Sequence, residues 1–195
     1  MQTSKSGIRI LGIAESFSQG ANNSLFAGVV MRKDLIIDGF AFSHATVGGM
    51  DATDAVIGIF DKLNRRDINC IVLSGCVVSW FNIIDPDLIF KTTNVPVIGV
   101  TYEDSKGLKE HIIHHFPGDE NRLSAYEKLG ERTFVKLDNK YGIYIRTAGL
   151  LKEEAFSICN SFAKEGKIPE PLRVARLLAR SFFKDENRSN ILNIS

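Results

Sequence analysis

Cysteine is scarce in this sequence of 195 residues, which holds only three. Cys70, Cys76 and Cys159 form no Cys-x-x-Cys pair, and their odd number argues against a disulfide framework. Reduced thiols of this kind are typical of the cytoplasm, where we expect the protein to act. The apolar runs are only as long as strands, and none approaches the roughly 20 residues of a membrane span. Residues 1–7 are polar, unlike a signal peptide.

Several motifs of nucleotide binding and acyl transfer are also absent. The sequence contains no G-x-x-x-x-G-K-[ST] loop, no G-x-G-x-x-G after a strand and no G-x-S-x-G elbow. Neither sign of charge is in excess, because 24 Lys and Arg stand against 23 Asp and Glu, for a formal net charge of +1. Any surface that binds nucleic acid must therefore be a local basic patch.

The composition fits one domain. Hydrophobic residues make up 44% of the chain, enough for a substantial core, and neither repeats nor long linkers divide it. We predict a single domain over residues 1–195, in which residues 133–195 form a C-terminal hairpin-and-helix extension packed on the rest. The tail at 184–195 is rich in Asn and Ser, which predicts loose attachment.

Three apolar segments near the start predict strands that follow one another without a helix. They cover residues 8–13, 25–31 and 35–42, with a tight turn at 32–34 and Gly39 as a candidate bulge. Such a meander is antiparallel. It differs from a Rossmann opening, in which the first strand leads into a helix.

Helices and strands alternate after the meander. The predicted elements are a helix at 51–66 with Asp51 as N-cap, a strand at 69–74, a short helix opened by Asp85-Pro86, a strand at 95–100, and a helix marked by Leu108, Ile112 and Phe116. The order β-β-β-α-β-α-β-α is that of an α/β protein with a ribonuclease H-like mixed sheet. We therefore predict an antiparallel three-strand meander plus parallel strands, with helices on both faces.

The rest of the chain predicts a hairpin and further helices. These are a helix at 120–129, strands at 133–137 and 141–146, a helix at 151–165 and a last helix from Pro171. In the last helix, Leu177, Leu178 and Phe182 are expected to face inward. Arg173, Arg176, Arg180 and Lys184 line another face at spacings of 3, 4 and 4, which suits contact with phosphates. The alternative is an ordinary solvated basic face.

Four carboxylates are candidates for metal-assisted chemistry. Glu15 follows the first strand, Asp51 and Asp54 start the first long helix, and Asp85 follows the fourth strand. In a sheet of this type, acids from such places hold one or two divalent ions that activate water. We assign Glu15, Asp51 and Asp54 to catalysis, and Glu15, Asp51 and Asp85 to Mg²⁺ or Mn²⁺. The alternative is that Asp51 and Asp85 are N-caps and that Glu15 is a solvated loop residue.

The histidines of one predicted helix and an aromatic pair point to function less clearly than the carboxylates do. His111 and His115 are i, i+4 neighbours, but no third ligand is evident beside them, so we interpret both, with His114, as a solvated helix face. The pair Trp80-Phe81 would be an unusual exposed pair and suggests a small-molecule or protein-partner surface. Its alternative is a packing contact between a helix and the sheet.

Several motifs resemble, in the same order, those of one archaeal protein family. They lie at residues 9–17, 28–32, 46–53, 81–85 and 95–98, with a weaker likeness at 144–149. The family is related to endonuclease V, and its members are often named endonuclease dU. The resemblance implies a ribonuclease H-like fold and a magnesium-dependent endonuclease that acts in DNA repair at deaminated bases such as deoxyuridine.

The chain departs from this family at two acidic positions. The family pattern Gly-Ile-Asp-Asp is here Gly12-Ile13-Ala14-Glu15, so the aspartate expected as a metal ligand falls on Ala14. The family pattern Asp-Gly at the end of the fourth strand is here Ser74-Gly75. Only the acid near Asp51 is kept. In a regular strand Glu15 points to the opposite face from residue 14, so it replaces the aspartate only where the backbone turns.

Two hypotheses follow from the match and its departures. The first is a divalent-metal endonuclease with a rearranged site, in which Glu15 and Asp51 hold the ion and Asp54 or Asp85 supports them. The second is a non-catalytic relative that has lost the metal-binding carboxylates and binds nucleic acid through its basic C-terminal helix and the pocket. The first is the one that the family resemblance favours.

Overall fold

A computed structural model describes residues 7–18, 20–104 and 107–192 of the chain, with side chains described as far as Glu186. The described part contains nine strands and six helices. In chain order they are β1 (Arg9–Ser16), β2 (Asn23–Arg32), β3 (Ile37–Thr46), α1 (Ala52–Leu63), β4 (Cys70–Leu73), β5 (Val77–Val78), β6 (Asn82–Ile83), α2 (Pro86–Thr93), β7 (Val97–Thr101), α3 (Lys109–His115), α4 (Glu120–Lys128), β8 (Thr133–Lys136), β9 (Gly142–Ala148), α5 (Lys152–Phe162) and α6 (Glu170–Leu192).

Seven of these strands form one mixed sheet in the order β3-β2-β1-β4-β7-β9-β8. The three central strands β1, β4 and β7 are parallel, whereas β2, β3, β8 and β9 add antiparallel neighbours at the two sides. This arrangement confirms the predicted mixed sheet. The short ribbon of β5 and β6, which the sequence analysis missed, lies in the connection between β4 and α2.

Strand β1 extends further than predicted. Its pairing with β2 continues through Glu15↔Phe26 and Ser16↔Leu25, so Glu15 lies within the strand and not in a loop after it. The bulge predicted at Gly39 is confirmed, because the register between β2 and β3 passes from Val30↔Gly39 directly to Met31↔Ile37.

Helices cover both faces of the sheet and divide the core into two layers. On one face α1 and α2 pack against the strands through residues such as Val56, Ile59 and Ile89. On the other face α5 and α6 pack through residues such as Ile158 and Leu172. Helices α1 and α5 end about one turn earlier than predicted; α1 stops where Asn64 adopts a left-handed conformation.

Helix α6 differs from its prediction in length and in orientation. It continues from Glu170 to Leu192, so most of the tail that was expected to be loosely attached is helical, and residues 193–195 lie outside the described residues. The inward face is made by Leu172, Ala175, Ala179 and Phe183. The expectation that Leu177 and Phe182 face inward is wrong, since both are exposed.

Small side chains bring α6 unusually close to β1. A Cβ atom added to Gly12 would lie 2.6 Å from the carbonyl carbon of Pro171 and 2.8 Å from its oxygen. Two residues further along β1, Ala14 is buried in a small cluster with Val29 and Ala175. Within the described residues, no helix is both long and apolar enough to cross a membrane.

We predict that Gly12→Ala destabilises the protein by about 1–3 kcal/mol, because the new methyl group meets backbone atoms that cannot rotate away. The matched control is Gly58→Ala in α1, where the added methyl meets only Ser43 Oγ at 3.7 Å. That control should stabilise the helix by up to about 1 kcal/mol. Urea unfolding of the two variants measures both changes, and equal effects would contradict the close packing of α6 on β1.

Candidate functional site

The carboxyl ends of the parallel strands β1, β4 and β7 meet at one edge of the sheet. Ile13 pairs with Leu73, and the backbone N–H of Ser74 donates to the carbonyl of Ile13 over 2.9 Å. Ala14 and Ser74 are therefore neighbours on adjacent strands. Crevices outside the carboxyl ends of strands are the usual ligand sites of open α/β sheets, which makes this edge the candidate site.

Ala14 contributes no ligand atom to this edge. Its side chain is only 3% exposed and lies beneath Ala175 of α6. An alanine has no oxygen to offer a hard cation such as Mg²⁺. At the position where the family pattern has an aspartate, this chain thus has a methyl group covered by a helix.

Ser74 is engaged by an arginine. Nε and Nη2 of Arg176, on α6, donate to Ser74 Oγ over 2.9 and 2.7 Å. The guanidinium also lies over the ring of Tyr102, 4.7 Å from its centroid. A positive charge therefore stands at the end of β4, where the family pattern has a second aspartate.

Glu15 lies on the other face of the sheet and is largely buried, so the alternative of a solvated loop residue is wrong. Its Oε1 accepts from the backbone N–H of Ser79 over 3.4 Å, while its buried Oε2 has no hydrogen-bond partner among the described residues. Burial raises the pKa of this carboxyl, against the opposing effects of Ser79 and of the charge of Arg176. The backbone does not turn at Glu15, because β1 remains paired with β2 there.

Asp51 is bound to its own loop. Its carboxylate accepts from the N–H and Oγ1 of Thr46 at 2.8–3.1 Å and from Nδ2 of Asn82 over 2.7 Å. Burial alone would raise the pKa of Asp51, but these hydrogen bonds outweigh it and hold the pKa below its ordinary value. The residue stands at the N-cap position of α1 without a capping bond from its side chain; Asn82 Oδ1 instead accepts from the N–H of Ala52 over 3.0 Å.

The other two predicted carboxylates have different surroundings. Asp54 is exposed in the first turn of α1. Asp85 caps α2 by accepting from the N–H groups of Asp87 and Leu88, and it pairs with Lys128 over 2.6 Å. Burial alone would raise the pKa of Asp85, but the hydrogen bond from Lys128 and those from the capped N–H groups hold it below its ordinary value.

The predicted acids do not assemble into a metal-binding group. In residues 7–18, 20–104 and 107–192, no three side chains of His, Cys, Asp or Glu come together in a way that could hold an ion. The strand ends offer a methyl group and a hydroxyl already bonded to a cation. These residues do not fit a hard divalent ion, and the assignment of Glu15, Asp51, Asp54 and Asp85 to catalysis or metal binding stays a prediction.

A cleft of about 650 Å³ opens at the carboxyl ends of β4 and β7. Its lining combines three arginines and three tyrosines: Arg132, Arg146, Arg176, Tyr102, Tyr126 and Tyr144. Three carboxylates, Glu103, Asp104 and Glu131, also border it. All three are exposed and stand at the rim, where Asp104 pairs with Arg132 over 4.0 Å. The less exposed part of the wall is therefore made of arginine and tyrosine side chains.

Hydrogen bonds to main-chain oxygens hold two of these arginines in place. Arg146 donates to the carbonyls of Leu129 and Gly130 at 3.0–3.2 Å, and burial lowers its pKa. Arg132 donates to the carbonyl of Glu103 over 2.9 Å and to Thr101 Oγ1 over 3.0 Å, and it lies over Tyr144. Neither Arg132 nor Arg146 was predicted from the sequence as a site residue. The alternation of Tyr144 and Arg146 in a predicted strand was the available signal, since it places both on one face.

The predicted basic stripe of α6 is divided by the fold. Arg173 forms an ion pair with Glu170, Arg176 lines the cleft, and Arg180 and Lys184 are exposed. Their assignment to nucleic-acid binding stays a prediction. Only Arg176 combines its charge with a concave surface.

Trp80 lies on a strained loop near the same edge. Ser79, Trp80 and Phe81 all have positive φ, at 42°, 60° and 62°, a conformation that costs L-residues free energy. Trp80 is 42% exposed and Phe81 is half-buried, and both rings contact His115 of α3, at 4.9 and 5.6 Å between centroids. The pair is therefore partly exposed and partly packed on a helix, and both interpretations of it stay predictions.

Buried Arg122, which no sequence signal distinguished, fixes the loops at this edge. It is 4% exposed and donates to the carbonyls of Gly48, Gly49 and Phe81. His111, His114 and His115 are exposed on α3, as predicted.

A mixed sheet with three central parallel strands and helices on both faces defines a ribonuclease H-like protein. The structure is similar to endonuclease V of Ciona intestinalis, solved with a 24-mer DNA containing an inosine followed by a ribo-adenosine. The TM-score is 0.61 at 14% identity, covering 92% of this chain and 87% of that one. Within this fold class the particular family is also defined: residues 6–183 match the family described as Endonuclease dU, and the chain belongs to it.

Relatives of similar length support the family assignment. A protein of Pyrobaculum calidifontis named UPF0215 protein is 40% identical over 170 residues, which cover 87% of this chain and 93% of that protein. The crystal structure of a protein of unknown function from Archaeoglobus fulgidus is similar with a TM-score of 0.78 and 29% identity, covering 90% of this chain and 98% of that one.

We predict that Glu15→Gln stabilises the protein at pH 7 by about 1 kcal/mol, or roughly 2–4 °C in midpoint temperature, because it removes a buried charge. Folding raises the pKa of Glu15, so the protonated side chain in the wild type costs no stability below the unfolded pKa. As the pH rises through the folded pKa, the wild type loses stability because the buried carboxyl must ionise. The advantage of Glu15→Gln over the wild type should therefore vanish near pH 4. Thermal unfolding at both pH values tests this against exposed Glu153→Gln; a pH-independent difference would contradict it.

Proposed function

We propose that this protein binds nucleic acid at a deaminated base of the deoxyuridine type, and that it does so in the cleft at the ends of β4 and β7. The observation that carries the proposal is the set of arginines and tyrosines on the cleft wall. The volume of about 650 Å³ lies within the roughly 300–1,000 Å³ of ordinary ligand pockets. Membership in the endonuclease dU family supports a deaminated base as the ligand.

The chemistry of the wall suits both parts of a nucleotide. Guanidinium groups pair with phosphate oxygens, and aromatic rings stack on unpaired bases. Arg132 lies over the ring of Tyr144 and Arg176 over the ring of Tyr102, so each of these arginines is in contact with an aromatic ring. An extruded base and its flanking phosphate could contact one such pair together.

The residues at the ends of β1 and β4 favour binding of nucleic acid without metal-dependent cleavage. Two carboxylates of the family pattern are replaced by Ala14 and Ser74, and Arg176 stands beside them. A cation at this place repels a divalent ion at short range. The protein therefore acts as a binding member of a nuclease family.

A second candidate function is a divalent-metal-dependent endonuclease of DNA repair. Family membership favours it, and so does the buried Glu15 Oε2, which has no partner within the described part of the chain. In that case Glu15 and Asp51 would be the ligands of Mg²⁺ or Mn²⁺, and cleavage would occur near deoxyuridine.

The binding proposal predicts that the protein binds a labelled single-stranded oligonucleotide with one deoxyuridine more tightly than the same strand with thymidine. Because the contacts are ionic, affinity should fall steeply between about 50 and 200 mM salt, with EDTA present throughout. Arg132→Ala should reduce the slope of log affinity against log salt by about one. Fluorescence anisotropy measures all three effects.

Lys91→Ala is the matched control for charge, because Lys91 is exposed on α2 and precedes the amino end of β7. It should leave affinity and salt slope unchanged. Binding that ignores both salt and Arg132→Ala would contradict the proposal.

The same oligonucleotides separate the two candidate functions when Mg²⁺ or Mn²⁺ replaces EDTA. We expect no cleavage above the background of a Glu15→Ala, Asp51→Ala double variant, as judged by denaturing electrophoresis. Cleavage by the wild type that the double variant lacks would overturn binding alone and establish the endonuclease.

A further inference from the structure

The end of β4 carries a positive charge where the family pattern has negative ones. Arg176 donates twice to Ser74 Oγ, and Ala14 beside it is a buried methyl group. Compared with a pair of aspartates, this point of the edge has lost two negative charges and gained a positive one. A site that once suited a cation now has the charge that suits an anion.

Much of the hydrogen-bonding capacity of Arg176 is left over. A guanidinium has five N–H groups, of which Ser74 takes two, and a serine hydroxyl supplies no charge to neutralise the group. Within the part of the chain whose side chains are described, Arg176 forms no ion pair. Glu15 feels its charge, but that carboxyl faces Ser79. The remaining N–H groups are therefore available to a ligand.

The surroundings fix the guanidinium and leave it facing the cleft. The ring of Tyr102 supports one side of Arg176 at 4.7 Å, and the two bonds to Ser74 restrain its rotation. Arg146 lines the same cleft, whereas the exposed carboxylate of Glu103 stands at the rim. A planar, restrained guanidinium of this kind binds phosphate oxygens through two parallel hydrogen bonds.

We infer that the Arg176 guanidinium binds a phosphate group of nucleic acid at the place where carboxylates would otherwise hold a divalent ion, so that binding needs no metal. The inference rests on the proposed function and names the residue and the chemical group through which the cleft holds its ligand. A fixed side-chain cation replaces an exchangeable one.

The test compares the affinity of the wild type and of Arg176→Ala for the deoxyuridine oligonucleotide, in EDTA and again in Mg²⁺. We expect the wild type to bind equally well in both buffers. Arg176→Ala should lose tenfold or more in affinity, and its salt slope should fall by about one. Arg176→Lys should recover only part of the loss, since an ammonium group lacks the paired geometry.

Lys91→Ala is the matched control, because Lys91 is exposed on α2 and is not part of the cleft wall; it should change the affinity less than twofold. Arg180→Ala, one turn further along α6 and also outside the cleft wall, tests separately whether the rest of the basic face takes part. Thermal unfolding shows whether each variant is folded. Ser74→Asp provides a second test that keeps the arginine: the new carboxylate should pair with Arg176 and weaken binding about as much as Arg176→Ala.

The outcomes separate the inference from the proposed function. Wild-type binding that needs Mg²⁺, or that survives Arg176→Ala and Ser74→Asp unchanged, overturns the inference and leaves the cleft as a binding site. A wild type that binds no oligonucleotide in either buffer overturns both. An equal loss in Arg180→Ala would assign the contact to the whole basic face of α6 and overturn a specific role for Arg176.

A last measurement distinguishes two sources of the phosphate group. Inorganic phosphate is titrated into the wild type and into Arg176→Ala by calorimetry. We expect inorganic phosphate to bind weakly, and millimolar phosphate should not displace the oligonucleotide. That result supports the phosphodiester of nucleic acid as the ligand. Displacement by micromolar phosphate, lost in Arg176→Ala, would identify a free phosphate site and overturn the assignment to nucleic acid.

Discussion

Helix α6 lies directly on β1 because both elements carry small residues where they meet. Gly12 faces Pro171, and Ala14 faces Ala175. Two residues of a strand advance about 6.6 Å and four residues of a helix about 6 Å, so the two contacts remain in step. The next residue of the helix is Arg176, which this packing places beside the end of β4. A larger side chain at either contact would lift the helix and remove the arginine from the edge.

The electrostatics of the edge follow from that contact. The face of β1 that carries Ala14 is closed by the helix, so a carboxylate there would be buried beneath Ala175. The opposite face receives Glu15, whose burial raises its pKa. At the edge of the sheet, the guanidinium of Arg176 lines the cleft. Other acidic groups near the edge stand at the rim, like Glu103, or accept hydrogen bonds from the protein's own loops, as Asp51 does from Thr46.

Local patterns predicted the fold well but could not predict the site. The order of strands and helices follows from periodicity and caps, and Asp85 capping α2 is one example that the structure confirms. The alignment of the motifs also located the altered positions Ala14 and Ser74. What replaced the missing acids was not visible, because Ser74 and Arg176 are 102 residues apart and meet only through the packing of α6. The inward face of α6 was also predicted wrongly. Ala175 and Ala179, which allow the helix to pack closely, are less hydrophobic than the exposed Leu177 and Phe182.

The carboxyl edge of the sheet carries the guanidinium of Arg176 at the place where the family pattern has carboxylates for a divalent ion. Calorimetric titration of Mn²⁺ into the purified protein, without nucleic acid, tests this claim directly. We expect only heats of dilution for the wild type and for Asp51→Ala alike. Saturable binding in the micromolar to low millimolar range that disappears in Asp51→Ala would contradict the claim and would restore a metal site built around that residue.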